Sequence, residues 1–465
     1  MTGAAPAGFD WPSAHDALRV LTLRAHYNSV VVVVASALLG LAAGVVGTFA
    51  LLRQRALMAD ALAHATLPGI ATAFLVSVAL GAPGKSRAAL LVGATVTGVL
   101  AVLLVQWIIR HTRLREDAAI AVVLGVSFAL GIVLLSYLQS LPTGTQGGLN
   151  HYIYGQPAAM SRQDAALMGG AALLATTLTA LLFRHLRLVC FDDRFAASIG
   201  SPVPMLDLLI MTLVVLVTVI GLQAVGLILV VSLLVIPPAA ARFWTERLGV
   251  MVPLAGAIGA AAGYLGASAS ALGPSLPAGA VIVLTAGALF LVSLLVAPRR
   301  GLLRAAARHG ALRLAVARDH YLRAAYELAE LRGSATEAPL SRTDLARVAG
   351  LSRPALAALT AWLRLRGDLR RLPSGVALTP RGARAALRLT RNHRLWEEYL
   401  LAHADIAPSH VDRSADRVEH ILSPALVAEL EATLRGAGRL PGDGPTPSRH
   451  PLALGAAVRP TDPAP

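Results

Sequence analysis

Residues 203–246 read VPMLDLLIMTLVVLVTVIGLQAVGLILVVSLLVIPPAAARFWTE. A hydrocarbon core about 30 Å thick takes about 20 residues of apolar helix to cross, so this stretch is long enough to cross twice. Gly221, Gly226 and the Pro237-Pro238 pair interrupt it. Irregular backbone survives at membrane depth only where protein or a water-filled cavity satisfies its polar groups. A broken helix lining a cavity is therefore expected here.

The same apolar signal repeats on both sides. Blocks of this length fall near 28–52, 56–80, 86–110, 116–139, 163–184, 203–222, 223–246, 248–271 and 275–298. They predict an all-α polytopic membrane domain of eight or nine spans over residues 28–301, preceded by a surface helix within 1–27. Nine spans with a cytoplasmic C-terminus would put the N-terminus outside, whereas Arg19 and Arg24 favour the inside. One block is thus expected to be re-entrant or broken. The loop 140–161 carries no Lys or Arg and is expected to face outside.

Composition agrees with this reading and narrows it. The 465 residues are 55% hydrophobic and 14% charged, against roughly a quarter charged in soluble domains. The formal net charge of +15 comes from arginine amid abundant alanine, Lys85 being the only lysine, and names no partner by itself. A single cysteine, Cys190, excludes an intrachain disulfide framework and a thiolate zinc cluster. The N-terminal segment lacks the basic-then-apolar order of a cleaved signal.

The chemistry concentrates in LLRQRALMADALAHATLPG, residues 51–69. Asp60 and His64 stand four apart and share one face of a helix. Ionisable groups inside a span are costly and normally face a pathway or a partner, and a carboxylate with an imidazole suits a divalent transition metal. Two copies of the chain around a two-fold axis would supply four ligands. The competing reading pairs Asp60 with Arg53 or Arg55 at a helix end and leaves His64 as packing. Gly84-Lys85-Ser86 looks like the end of a phosphate-binding loop, but Ala79 stands where its first glycine belongs and no βαβ unit surrounds it. No nucleotide site follows in this chain.

Several stretches together resemble the zinc/manganese/iron ABC importer permease family: LRQRALMADALAHATLPGIATAFL (52–75), RLREDAAIAVVLGVSFALGIVLLS (113–136), GLNHYIYGQ (148–156), VGLILVVSLLVIPPAAARF (225–243) and SLPAGAVIVLTAGALFLVSLLVAPRRG (275–301). The resemblance implies import of a divalent metal, Mn²⁺ or Fe²⁺ first and Zn²⁺ as the alternative, with Asp60 and His64 in the transport pathway. It implies a permease that performs no bond chemistry, in the cytoplasmic membrane. Its expected partners are separate ABC ATPase subunits, an extracytoplasmic metal-binding protein and a second permease subunit, identical or related. It also makes 187–200, with Phe191, Asp192, Asp193, Arg194 and Phe195, the helix that couples to the ATPase; on pattern alone that segment also reads as an ordinary loop.

Beyond about 318 the pattern becomes amphipathic and charged, and the domain is expected in the cytoplasm. Residues 340–387 read as helix, turn with Gly350, helix, then two strands around Pro373-Ser374-Gly375. Ser341 and Ser352 are suitable N-caps and Pro354 sits near a helix start. This predicts a winged helix-turn-helix over 318–388, whose second helix would offer Arg353, Thr360 and Arg364 to DNA bases. Arg342, Arg347, Arg370, Arg371 and Arg381 could meet phosphates. A helical domain over 389–435 and a Pro-rich disordered tail over 436–465 follow. Residues 318–450 resemble the diphtheria-toxin-repressor and manganese-repressor family, whose fold adds a helical metal-binding and dimerisation domain. Carried over by position, that resemblance implies His320, His393, Asp416, Glu419 and His420 as regulatory metal ligands, and it puts Arg323 at a further ligand position. An arginine cannot bind a metal and repels one. A metal sensor acting on the transporter in cis is the expected role; a membrane-anchored metal-dependent transcription regulator is the rival.

Overall fold

The structure is a computed structural model and describes residues 14–24, 26–81, 86–140, 160–273, 276–332, 339–348, 352–373, 375–403 and 424–437. It divides into two compact units, 1–305 and 306–465. The first contains α1 (Ala14–Leu21), α2 (Tyr27–Leu52), α3 (Ala56–Ala79), α4 (Arg87–His111), α5 (Glu116–Ser140) and α6 (Arg162–Phe191). It continues with α7 (Asp193–Ser198), α8 (Val203–Val225), α9 (Leu227–Trp244), α10 (Leu248–Leu272) and α11 (Ala278–Val296). Among the described residues eight of these helices are long and apolar enough to cross a membrane, and α9 is a shorter apolar helix.

The run 203–246 folds as two helices. Gly226 has φ +88°, a left-handed value that closes α8 and opens α9. Only glycine takes that conformation without steric cost, so the break expected from the sequence falls there. Pro237 and Pro238 lie inside α9 without ending it.

The helix α2 is the hub of this unit and packs against α6, α8, α9 and α10. Its contact with α10 is close because both helices offer glycine: a Cβ on Gly259 would stand 2.1 Å from the Gly40 carbonyl oxygen. Lipid is as apolar as leucine, so helices in a bilayer associate through such close backbone approach. The helices α2, α3 and α8 are the most enclosed spans and α11 the most peripheral.

Contacts between the helices define two opposite ends of the bundle. At one end Arg53, Asp193 and Asp207 meet, and Arg300 pairs with Glu246 at 2.8 Å. A Cβ on Gly249 would touch the Phe183 ring, two turns before Val189, whose carbonyl accepts from Arg53, so this second pair belongs to the same end. At the other end Tyr264 donates to the Leu21 carbonyl, and Arg162 lies 4.6 Å over the Tyr27 ring. Arg19 and Arg24 line a cavity with Leu272 at that second end. They sit at the end opposite α7.

The second unit holds most of α12 (Leu302–Leu331), with α13 (Arg342–Val348), α14 (Arg353–Leu365), β1 (Leu369–Leu372), β2 (Gly375–Leu378), α15 (Pro380–His403) and α16 (Pro424–Gly436). The helix expected to begin near 318 is the second half of α12, which starts sixteen residues earlier, at Leu302. The boundary expected at 388/389 falls inside α15 and is no break in the chain. The strands pair antiparallel with Leu372 opposite Gly375, and Leu340 bridges to Val376. Tyr321, Leu322, Leu328, Leu356, Leu363 and Val376 form the core. Most of the expected Pro-rich tail and the 140–161 loop lie outside the described residues.

Candidate functional site

The helix α3 carries Asp60 and His64 one turn apart, with His64 Nε2 3.6 Å from Asp60 Oδ1. Their side chains are 40% and 21% exposed, so the pair is partly accessible on a helix that is mostly buried. The His64 ring meets Phe128 of α5 edge to face at 4.8 Å. His64 Nδ1 is buried with no hydrogen-bond partner. The nitrogen that faces the Asp60 carboxylate is Nε2, and these two groups are the donors that a divalent cation would share on this face.

The competing reading of Asp60 does not hold. Arg53 and Arg55, its proposed partners, are engaged elsewhere. Arg53 Nη2 lies 2.9 Å from Asp207 Oδ2 of α8, and Arg53 Nη1 donates to the Val189 carbonyl at 3.1 Å and lies 3.4 Å from Asp193. Arg55 Nη2 reaches the same Asp207 oxygen at 3.5 Å, and its Nε lies 2.6 Å from Glu116 of α5. Burial alone would lower the Arg53 pKa; Asp207 and Asp193 outweigh it and raise it, so the guanidinium stays charged. This cluster was missed in the sequence. A lone acid, Asp207, in an otherwise apolar run was the available signal.

The segment expected to couple to an ATPase divides between two helices. Phe191 is the last residue of α6, which runs about two turns past its expected end, and Asp192 caps α7 by accepting from the Phe195 amide at 2.9 Å. Phe191 and Phe195 are exposed, as are Arg194 and Asp192. Asp193 leans on Arg53 and is not a free charge of the docking face.

In the second unit His393 is buried, and both of its ring nitrogens are taken. Nδ1 lies 2.6 Å from Arg323 Nη1 and Nε2 3.3 Å from Glu397. Arg323 is also 3.8 Å from Glu327. A guanidinium therefore stands where a metal would approach His393. His320 is half-buried on α12. Asp416, Glu419 and His420 lie outside the described residues. Among the described residues no group of three or more His, Cys, Asp or Glu could hold a metal.

The DNA-contact expectation also needs correction at Thr360. That residue is buried and its hydroxyl lies 3.1 Å from the Tyr321 hydroxyl. It sits on the same stripe as Leu356, Leu359 and Leu363, which face the core. Arg364, Arg370 and Arg371 are exposed, while Arg381 pairs with the buried Asp368 at 3.3 Å. Arg353 is the first residue of α14.

The fold is that of a multi-span membrane protein, with an ionisable pair on a mostly buried helix and a helical unit appended. Residues 26–297 match the ABC 3 transport family, and the chain belongs to that family. Residues 379–448 match the iron dependent repressor, metal binding and dimerisation domain. The manganese transport system membrane protein MntC of Bacillus subtilis is 34% identical over 418 residues, covering 90% of this chain and 94% of that protein. That alignment is too long for the membrane region alone and runs into the appended unit. The zinc transport system membrane protein TroC of Treponema pallidum is 37% identical over 284 residues, 61% of this chain and 94% of that protein. Among solved structures, a chain of PsaBC from Streptococcus pneumoniae in complex with Fab superposes with a TM-score of 0.53 at 31% identity, covering 63% of this chain and 99% of that one.

Proposed function

We propose that the chain is the permease of an ATP-driven importer of a divalent transition metal, Mn²⁺ before Zn²⁺, with Asp60 and His64 in the pathway. One observation carries the assignment: a half-exposed carboxylate faces the Nε2 of an imidazole one turn away on a mostly buried span. Carboxylate suits Mn²⁺ and imidazole suits both metals. The long match to a manganese transport membrane protein favours Mn²⁺, while the match to a zinc transport protein keeps Zn²⁺ as the alternative. Fe²⁺ shares the ligand chemistry.

In this reading the protein is multi-pass in the cytoplasmic membrane and works with ATPase subunits, an extracytoplasmic binding protein and a second permease copy or relative. The helix α7 docks the ATPase, which puts the Arg53 end of the bundle in the cytoplasm and the Tyr27 end outside. The appended unit, with its helix pair and two-strand hairpin arranged as a winged helix-turn-helix, is a cytoplasmic regulator of transport. His393 with Glu419 and His420, and with Asp416 and His320 beside them, would form its metal site once Arg323 moves aside. The transcription-regulator rival loses ground because Thr360 is spent on the core and the permease match covers more than half of the chain.

The test is metal uptake by vesicles containing the assembled transporter. A pathway site must bind well enough to admit an ion and weakly enough to release it. Asp60→Ala with His64→Ala should therefore abolish Mn²⁺ uptake while the complex is recovered in parental amounts. Uptake at the parental rate would refute the assignment.

A further inference from the structure

Four helices distant from it in sequence meet one three-residue turn. The connection from α2 to α3 is Arg53-Gln54-Arg55, and Gln54 has φ +59°. A left-handed residue that is not glycine is uncommon and marks a backbone held by its surroundings. The turn sends both arginines onto one carboxylate, that of Asp207 at the start of α8. Arg53 also grips α7 through Asp193 and the last turn of α6 through the Val189 carbonyl. Arg55, the N-cap residue of α3, grips the first turn of α5 through Glu116.

The cluster is enclosed. The side chains of Arg53, Arg55 and Asp207 are 14%, 14% and 12% exposed. Removing charges from water costs several kcal/mol per ion, and apolar packing of the same volume is often as stable. Stability alone is therefore a poor reason for such a group. Its placement supplies a better one. Arg53 reaches α7 through Asp193, and the turn is covalently continuous with α3. From Arg55 to Asp60 the helix rises about 7.5 Å, which is short and stiff.

We propose that Arg53 is a positioning residue for transport: it transmits displacement of α7 to α3, and so to Asp60 and His64, using Asp207 as its anchor. This rests on the reading of α7 as the ATPase dock and of Asp60 and His64 as pathway ligands. The guanidinium suits the task because separate nitrogens hold Asp193 and Asp207 at once. Lysine offers one point charge and cannot bridge both in the same way. Arg55 has a different part, fixing the start of α3 against α5.

The test reads the ratio of metal moved to ATP hydrolysed in vesicles that contain this chain with its ATPase and binding protein. Arg53→Gln should lower Mn²⁺ uptake per ATP by about tenfold, as a lost coupling of this kind does. Arg53→Lys should restore part of the ratio. Asp193→Asn, at a half-exposed position, should lower the ratio too and serves if Arg53→Gln fails to assemble. An unchanged ratio in the variants that assemble overturns the proposal. Uptake and hydrolysis falling in equal proportion would make the cluster a static clamp and also overturn it. Parental vesicles that hydrolyse ATP but take up neither Mn²⁺ nor Zn²⁺ would instead sink the functional reading and this proposal with it.

Discussion

Replacing Arg323 should turn the appended unit into a much tighter metal binder. A divalent ion on His393 Nδ1 would stand about 2 Å from that nitrogen, on ground that Arg323 Nη1 holds at 2.6 Å. The guanidinium must withdraw before metal can bind. At a separation of about 4 Å, charges of +1 and +2 still repel by about 2 kcal/mol even at the dielectric constant of water. The Arg323 side chain is 11% exposed, so screening is weaker than in water and this figure is a floor. Converted to affinity, 2 kcal/mol is about thirtyfold. Arg323→Ala should therefore tighten Mn²⁺ binding at least about thirtyfold. The assay is titration of free Mn²⁺ by its electron paramagnetic resonance signal, on the full chain in detergent. Asp60→Ala with His64→Ala in the background keeps the pathway out of the measurement. Adding His393→Ala should remove the gain. Equal affinities with and without Arg323, or a gain that survives loss of His393, would refute the reasoning.

Three further outcomes are expected. Asp207→Asn leaves Arg53 and Arg55 without their common partner and should cost about 3–5 kcal/mol, read as a fall in thermal unfolding temperature in detergent; an unchanged temperature would show the cluster to be energetically idle. Gly259→Leu drives a side chain into the Gly40 carbonyl, 2.1 Å from its Cβ, and should destabilise the membrane unit by about 1–3 kcal/mol; a parental melting profile would contradict the close approach. A cysteine at Phe195, with Cys190 replaced, should cross-link to the ATPase, because Phe195 projects from α7 exposed; cross-links confined to the 84–87 connection would move the dock elsewhere.

The spans were legible because a bilayer imposes a length on apolar runs, and the break at Gly226 because only a few residues tolerate its φ. The Asp60 and His64 spacing was legible for a similarly local reason. What the sequence hid was mostly long-range. Arg53 and Asp207 are 154 residues apart, and nothing local marks one as the partner of the other, so Arg53 was offered to the nearer Asp60. Phe128 against His64 carries no signal at all outside the fold. Two misreadings were avoidable. The start of α12 at Leu302 lies in a stretch of alanine, leucine and arginine, all good helix formers. Thr360 falls on the stripe Leu356, Leu359, Thr360, Leu363, and helical periodicity should have outranked its hydroxyl.

The placement of the chain ends bears on how an appended unit can act on transport. Arg300 pairs with Glu246 at the end of the bundle where Arg53 meets Asp193. From there α12 begins two residues later and carries the chain into the second unit. The chain thus leaves the first unit at the end that holds α7, not at the end that holds α1. A regulator that senses metal after import needs to reach the machinery that drives import, and a tether at that end raises its effective concentration there without any new contact. Binding can shift transport only by its difference in affinity between two states. With Arg323 weakening the His393 position, the unit would respond only to high metal levels. That is the range in which shutting an importer is useful, and it makes inhibition by accumulated metal the expected sign of regulation.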